Sequence, residues 1–120
     1  YVATGSVGFP MDLQKKVKKA MAIRGPKFLH IHVPCPLGWR HESNLTYQIA
    51  RLAVETGLFP LVEFENGKLS GVYTISKPRP VEEYLKPQGR FRHLSEETVK
   101  QIQDRVHKEY ARLKERAGLT

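Results

Sequence analysis

Cysteine is almost absent from this sequence, which has Cys35 as its single thiol in 120 residues. One cysteine excludes an internal disulfide, and without an export signal we expect a reducing, cytoplasmic compartment. The sequence also lacks any run close to the ~20 consecutive apolar residues that a membrane span needs, so no membrane partner is expected. There is no initial methionine either, and the start at Tyr1 predicts a chain that begins partway through a domain.

Acidic residues are too few to balance the basic ones. The chain has 20 lysines and arginines against 12 aspartates and glutamates, a formal net charge of +8. Such an excess fits a nucleic acid, an anionic surface or an acidic protein partner. Four of the basic residues lie between 15 and 19, opposite an apolar stripe, which is typical of the solvated side of a helix. No nucleic-acid-binding motif accompanies them, so a basic nucleic-acid-binding module stays the alternative and no nucleic-acid partner is expected.

The first third of the chain shows a strand, helix, strand pattern. Residues 1–4 are apolar and β-favouring, and the turn residues after them lead to Pro10, which suits the first position of a helix. Residues 28–33 are a compact apolar run that predicts a buried strand. The helix between them is indicated by apolar residues at helical spacing, namely Leu13, Val17, Ala20 and Met21.

A second helical pattern follows a loop rich in proline and glycine at 34–40. Its apolar residues lie between Leu45 and Thr56. Ser43 or Asn44 is expected to cap its start, and the next glycine to end it.

The remaining residues predict a hairpin, an arm and a long helix. Residues 61–65 alternate, Asn66-Gly67 is a strong hairpin signal, and 72–75 supply the return strand. Residues 81–85 form only a turn or two of helix between prolines, and a helix of about 20 residues should start after Ser95. The whole predicts an α/β fold whose sheet is incomplete.

Cys35 is the candidate ligand. It follows the carboxyl end of the strand at 28–33, where ligands gather in open parallel α/β sheets. The flanking prolines stiffen its backbone and Gly38 allows a close turn, so the thiol should be held in a fixed place. The alternative is a free cysteine that acts as a small buried hydrophobe.

Two histidines near Cys35 raise the possibility of zinc. His30 and His32 fall on one face of a strand, and His41 follows closely. The spacing matches no standard zinc site, so two histidines in the core, or facing a cofactor cavity, are the alternative. Gly5-x-x-Gly8 lacks the rest of a phosphate-binding motif and is interpreted as turn geometry. We assign no catalytic residue.

Four collinear stretches resemble one known family. They are YVATGSVGFPMDL at 1–13, GPKFLHIHVPCPLGW at 25–39, IARLAVETGLFPLVEFENGK at 49–68, and the 77–94 segment that contains QGRFRHL. The chain resembles the C-terminal part of the β subunit of 2-oxoacid:ferredoxin oxidoreductases, and among these it is most similar to the pyruvate enzyme, pyruvate synthase. The resemblance covers nearly the whole chain.

This resemblance implies a thiamine-diphosphate-dependent, multi-subunit enzyme. The family converts a 2-oxoacid such as pyruvate, with coenzyme A, to acetyl-CoA and CO2, and passes electrons through iron–sulfur clusters to ferredoxin. The family cysteine that Cys35 matches is the last of four ligands to the [4Fe–4S] cluster nearest the thiamine. The other three cysteines and the magnesium–diphosphate motif lie upstream in the family. The chain alone should therefore be inactive, and its partners are other oxidoreductase subunits and ferredoxin.

The resemblance also predicts a division of the chain. Residues 1–58 should be the C-terminal portion of the thiamine-diphosphate-binding α/β domain. Residues 59–120 should be an extension of the β subunit made of the hairpin, the arm and the helix.

Overall fold

The computed structural model describes residues 1–119 as a four-stranded sheet with helices packed on it. The strands are β1 Val2–Ser6, β2 Phe28–His32, β3 Val62–Glu65 and β4 Lys68–Val72. The helices are α1 Pro10–Ala22, α2 Pro36–Trp39, α3 Thr46–Glu55, α4 Val81–Leu85 and α5 Glu96–Arg116. Two single 3-10 turns, Ser43–Leu45 and Gly89–Phe91, precede α3 and follow α4. The predicted α/β class is confirmed.

The sheet combines parallel and antiparallel pairing in the order β2-β1-β3-β4. β1 and β2 run parallel, from Val2 opposite Phe28 to Ser6 opposite His32, with α1 as the crossover. β3 pairs antiparallel with β1, so the predicted hairpin extends the same sheet. The division at residue 58 stays a prediction, and the β1–β3 pairing joins its two sides.

The prediction that residues 28–33 form a buried strand is wrong. β2 is an edge strand whose single strand neighbour within residues 1–119 is β1. Phe28 is 62% exposed and Val33 55% exposed as a result. An apolar run alone cannot tell a central strand from an edge strand, because that depends on which strands pair with it.

Helix α1 begins at Pro10 as predicted, but its buried face differs from the predicted one. Lys16, placed on the solvated side by the sequence, is buried, whereas Met21, placed on the apolar stripe, is 79% exposed. The Lys16 Nζ atom donates hydrogen bonds to the Thr4 carbonyl oxygen and to Asp12 Oδ2. Burial of the ammonium is tolerated because both partners satisfy it.

Helix α3 starts later than predicted and without the predicted cap. Neither Ser43 nor Asn44 caps it, since both lie in the 3-10 turn before it, and the Thr46 hydroxyl donates to the Ser43 carbonyl oxygen instead. Gly57 follows the helix with φ +82°, the left-handed conformation predicted for a helix-ending glycine. The main apolar core lies where α3, α4 and α5 meet, and its buried members are Ile49, Leu52, Ala53, Val81, Tyr84, Leu85 and Val106.

The hairpin turn is the predicted one. Asn66 and Gly67 both have positive φ, 50° and 77°, as a two-residue type I′ turn requires. The return strand lies at Lys68–Val72, earlier than the predicted 72–75, because pairing resumes directly after so short a turn.

The last two predicted helices are confirmed. α4 spans five residues, and α5 spans 21 residues after Ser95, whose hydroxyl accepts a hydrogen bond from the Thr98 amide. Over residues 1–119, no helix combines the length and apolar character that crossing a membrane requires.

Candidate functional site

Cys35 lies three residues beyond the end of β2, at the start of the short helix α2. Its thiol is exposed, and its sulfur accepts a hydrogen bond from the Gly38 amide at 3.4 Å. Its carbonyl oxygen accepts another from the Trp39 amide at 2.9 Å. An amide that points at the sulfur stabilises negative charge on it. Cys35 is therefore an outward-facing thiol with a fixed position, and the alternative of a buried structural cysteine is wrong.

The loop after Cys35 closes through a left-handed residue. Arg40 has φ 56° and ψ 57°, a conformation that is uncommon for a residue other than glycine. The His41 amide donates to the Pro36 carbonyl oxygen at 3.1 Å, which fixes the turn from inside. The Gly89 amide donates to the Arg40 carbonyl oxygen at 2.8 Å, which fixes it from outside. The Cys35 loop, residues 35–41, is thus attached to the segment that follows α4.

Trp39 is the main side-chain anchor of the Cys35 loop. Its indole packs against the His32 imidazole, with ring centroids 5.4 Å apart, and against the His41 imidazole at 6.5 Å. The Arg90 guanidinium lies over the Trp39 ring, 3.8 Å from its centroid. Such a stack combines cation–π attraction with flat packing. The indole therefore joins β2 to the residues after α4.

A network of hydrogen bonds holds Arg90 in place. Its Nε donates to Gln88 Oε1 at 2.8 Å, and its Nη2 donates to the Tyr84 hydroxyl at 3.1 Å. Gln88 is completely buried and its Nε2 donates to the Tyr84 carbonyl oxygen at 2.6 Å. Arg90 therefore donates to two side chains, and Gln88 is itself held by the Tyr84 main chain, so the guanidinium keeps a defined plane.

The histidines are packing residues and do not form a metal site. His30 and His32 share a face of β2, as predicted, and both pack against Phe59 at 5.3 and 5.1 Å. His41 is buried, and its Nδ1 lies 2.9 Å from the Glu42 carbonyl oxygen. Within residues 1–119, no three His, Cys, Asp or Glu side chains are close enough to hold a metal ion. The zinc interpretation is therefore not supported. The alternative of two core histidines is not borne out either, because His30 is exposed and His32 is only partly buried.

The surroundings of His32 in this site shift its pKa. Burial, followed by the positive charge of Arg90, lowers its pKa from the ordinary histidine value. Its Nε2 lies 3.3 Å from the Tyr84 hydroxyl, and its Nδ1 is buried without a hydrogen-bond partner among the described residues. The neutral imidazole is therefore the form that the surroundings favour.

The glycine-rich turn after β1 is a packing feature. A Cβ at Gly8 would lie 2.6 Å from the Arg51 backbone nitrogen, so the turn touches α3 directly. The Ser6 hydroxyl, which could otherwise face a ligand, donates to the Ala50 carbonyl oxygen and accepts from the Gly8 amide. The interpretation of this segment as turn geometry, without a phosphate site, agrees with these contacts.

The sequence identified Cys35 but assigned no role to Tyr84, Gln88 or Arg90. All three belong to the segment around Pro87 that was interpreted only as an arm. A usable signal was present, since Gly89 lies between two polar side chains directly after a short helix. A glycine at such a point often marks a close approach of two backbones.

Comparison with known proteins finds that the chain is similar to oxidoreductase subunits. No protein-family profile matches it. It is 52% identical over 108 residues to pyruvate synthase subunit PorB of Methanosarcina barkeri, and 50% identical over 103 residues to that of Methanocaldococcus jannaschii. These matches cover 86% of this chain and 36% and 35% of the relatives. It is also 46% identical over 123 residues to ketoisovalerate oxidoreductase subunit VorB of Pyrococcus abyssi, which covers 98% of this chain and 38% of the relative.

Proposed function

Because this chain belongs to the family of 2-oxoacid oxidoreductase β subunits, of which it spans just over a third of the length, we propose that it forms part of an enzyme that oxidatively decarboxylates a 2-oxoacid. Pyruvate is the first candidate substrate, since relatives named pyruvate synthase reach the higher identities. The branched 2-oxoacid ketoisovalerate is the second, since relatives with that name match almost the whole chain.

The observation that carries the role of this stretch is the geometry of Cys35. We propose that its thiolate is one of four cysteine ligands to a [4Fe–4S] cluster of the assembled enzyme. An exposed sulfur on a fixed loop, with an amide directed at it, fits that use, because hydrogen bonds to cluster sulfurs are one way a protein tunes a cluster. As the single cysteine of the sequence, it supplies one ligand, and three come from elsewhere.

The other cofactors of the proposal lie outside this stretch. Thiamine diphosphate supplies the decarboxylation chemistry when bound, and magnesium holds its diphosphate. The described residues contain no group of three metal-ligating side chains, so a magnesium site would be built by other parts of the enzyme. The contribution of this chain is to bind and orient one edge of the cluster site.

Partners and location follow from the same proposal. Other oxidoreductase subunits would complete the sites, coenzyme A would accept the acyl group, and ferredoxin would accept the electrons in the cytoplasm. The net charge of +8 would favour the approach of an acidic electron carrier, with an effect that weakens as salt rises.

The test is iron content and low-temperature EPR of the assembled enzyme with Cys35→Ser. Serine keeps an oxygen that can accept the Gly38 amide, so the loop should stay folded while iron loses a thiolate. We expect the loss or marked weakening of one [4Fe–4S] signal, with thiamine diphosphate binding retained. Ser43→Ala, an exposed change shortly after the same loop, is the control and should leave the signal intact. An unchanged cluster count in Cys35→Ser would refute the ligand role.

The substrate is tested separately by turnover of the complete enzyme on a panel of 2-oxoacids. Pyruvate should give the highest kcat/KM, and ketoisovalerate should be next. Inactivity towards every 2-oxoacid would refute the proposed reaction.

A further inference from the structure

We propose that Arg90 is a positioning residue that fixes the loop carrying the Cys35 thiol, an inference that rests on the proposed ligand role of that thiol. Arg90 belongs to the segment after α4, whereas the Cys35 loop follows β2, and the two are 55 residues apart in sequence. The stack of the Arg90 guanidinium on Trp39 is the side-chain contact that joins them.

The Cys35 loop depends on few contacts. Leu37 is 92% exposed, and both Cys35 and Gly38 are exposed as well. Within the described chain, the hydrogen bonds of residues 35–38 stay inside the Cys35 loop. The loop is therefore held from its far end, at Trp39 and Arg40, which receive the Arg90 side chain and the Gly89 amide respectively.

The Arg90 guanidinium has an arrangement that a solvated surface arginine does not have. It lies over two aromatic rings, 3.8 Å from the Trp39 centroid and 4.4 Å from the Phe91 centroid. Its hydrogen bonds go to neutral partners, Gln88 and Tyr84, and among residues 1–119 no carboxylate forms an ion pair with it. This is a full positive charge, fixed in plane and left without a neutralising partner, next to the residue that anchors the thiol loop.

Both features of Arg90 bear on a cluster bound at Cys35. The planar stack fixes Trp39, whose amide holds the Cys35 carbonyl oxygen, so its loss should let the thiolate adopt more than one position. The charge should also favour the reduced cluster, which carries one more negative charge than the oxidised one, and so raise its reduction potential. Arg90→Lys keeps the positive charge but loses the planar guanidinium, whereas Arg90→Met loses both. Comparing the two variants therefore separates the effect of the stack on Trp39 from the effect of the charge on the reduction potential.

The experiment compares Arg90→Lys, Arg90→Met and the wild type in the assembled enzyme by iron content, EPR line shape and redox titration. Arg90→Met should give broader EPR lines, a lower potential and a several-fold faster loss of iron to a chelator. Arg90→Lys should broaden the lines and keep more of the potential. The control is Arg92→Met, an exposed arginine in the same segment, which should change none of these. Unchanged lines, potential and iron retention in both Arg90 variants would overturn the proposal.

Failure of this inference is distinguishable from failure of the proposed function. If Cys35→Ser leaves the cluster count unchanged, the ligand role of Cys35 fails, regardless of the results for the Arg90 variants.

The positioning role of Arg90 has a separate measurement, because Trp39 is the single tryptophan of the 120-residue chain. In that chain, Arg90→Met should raise acrylamide quenching of Trp39 fluorescence several-fold at unchanged far-UV circular dichroism, and Arg92→Met should not. Equal quenching in all three proteins would overturn the positioning role, and if Arg90→Met does not fold, Arg90→Lys decides by the same measure.

Discussion

The Gly89 amide donates a hydrogen bond to the Arg40 carbonyl oxygen at 2.8 Å, and the two residues touch so closely that a Cβ at Gly89 would lie 2.7 Å from the Arg40 Cβ. Arg40 itself has the left-handed conformation, φ 56°. The contact therefore joins a residue that has no side chain to a residue whose backbone is strained. It locks the end of the Cys35 loop against the segment after α4.

Gly89→Ala should destabilise the protein by about 1–3 kcal/mol, the usual cost of forcing a methyl group into a filled space. The same change in an Arg40→Gly background should cost less, because the nearest clashing atom is gone. Arg40→Gly also relieves the left-handed strain, worth roughly 1 kcal/mol. Chemical denaturation of the wild type, the two single variants and the double variant measures the coupling as a double-mutant cycle. Additive costs would contradict a direct contact between the two residues.

Gly57→Ala should be more destabilising than Gly67→Ala, although both glycines have left-handed φ values of 82° and 77°. The shared backbone cost is about 1–2 kcal/mol. At Gly57 a Cβ would also meet Val106 Cγ1 at 3.1 Å, in the core between α3 and α5, whereas at Gly67 nothing lies within 4 Å. The difference between the two unfolding free energies isolates the packing term. Equal values would mean that α5 moves aside freely.

Local patterns predicted most elements of this fold, because their causes are local. The α1 proline, the Asn66-Gly67 turn and the start of α5 after Ser95 each depend on neighbouring residues and were predicted correctly. The errors concern relations between distant residues. Lys16 is buried because the Thr4 carbonyl oxygen accepts from it, and β2 is exposed because it lies at an edge of the sheet.

In the candidate site, too, the local features were predicted from the sequence and the contacts between distant residues were not. Cys35 was identified from the residues on either side of it and from the family resemblance. The contact of Trp39 with Arg90 joins two segments 51 residues apart, and no periodicity in a single sequence reports such a contact. Gly89 was the one sequence signal for a close approach of two backbones, and only the fold shows that the other backbone is that of Arg40.

Binding to generic DNA or RNA should be absent even at low salt, which distinguishes an oxidoreductase subunit from a basic nucleic-acid-binding module. The lysines of α1 do not form one free stripe, because Lys16 is buried and Lys19 pairs with Glu63 and Glu65 at 3.1 and 2.7 Å. Fluorescence anisotropy of a labelled duplex and of a labelled single strand, from about 50 to 200 mM salt, is the measurement. Tight binding that weakens steeply with salt would favour the alternative.

The stability of the protein should fall on acidification through the range set by His32. Burial and the charge of Arg90 lower the pKa of His32 in the folded state. As the pH falls below 6.5, the ordinary histidine pKa, His32 is therefore protonated in the unfolded chain before it is protonated in the folded protein. Stability is therefore full above about pH 6.5, declines as the pH falls towards the folded-state pKa, and levels off below it.

His32→Gln should flatten this decline, since an amide can still meet the Tyr84 hydroxyl and does not titrate in this range. The measurement is the unfolding free energy from denaturant titrations at half-unit steps between pH 5 and 8, at constant salt. His93→Gln, a change at an exposed histidine in the same part of the chain as Arg90, serves as the control and should keep the wild-type slope. The charge of Arg90 contributes to the lowered pKa of His32. Arg90→Met should therefore raise this pKa towards its ordinary value and make the loss of stability on acidification smaller. Wild-type and His32→Gln curves that run parallel across the whole range would show that His32 does not set the acid limit of stability.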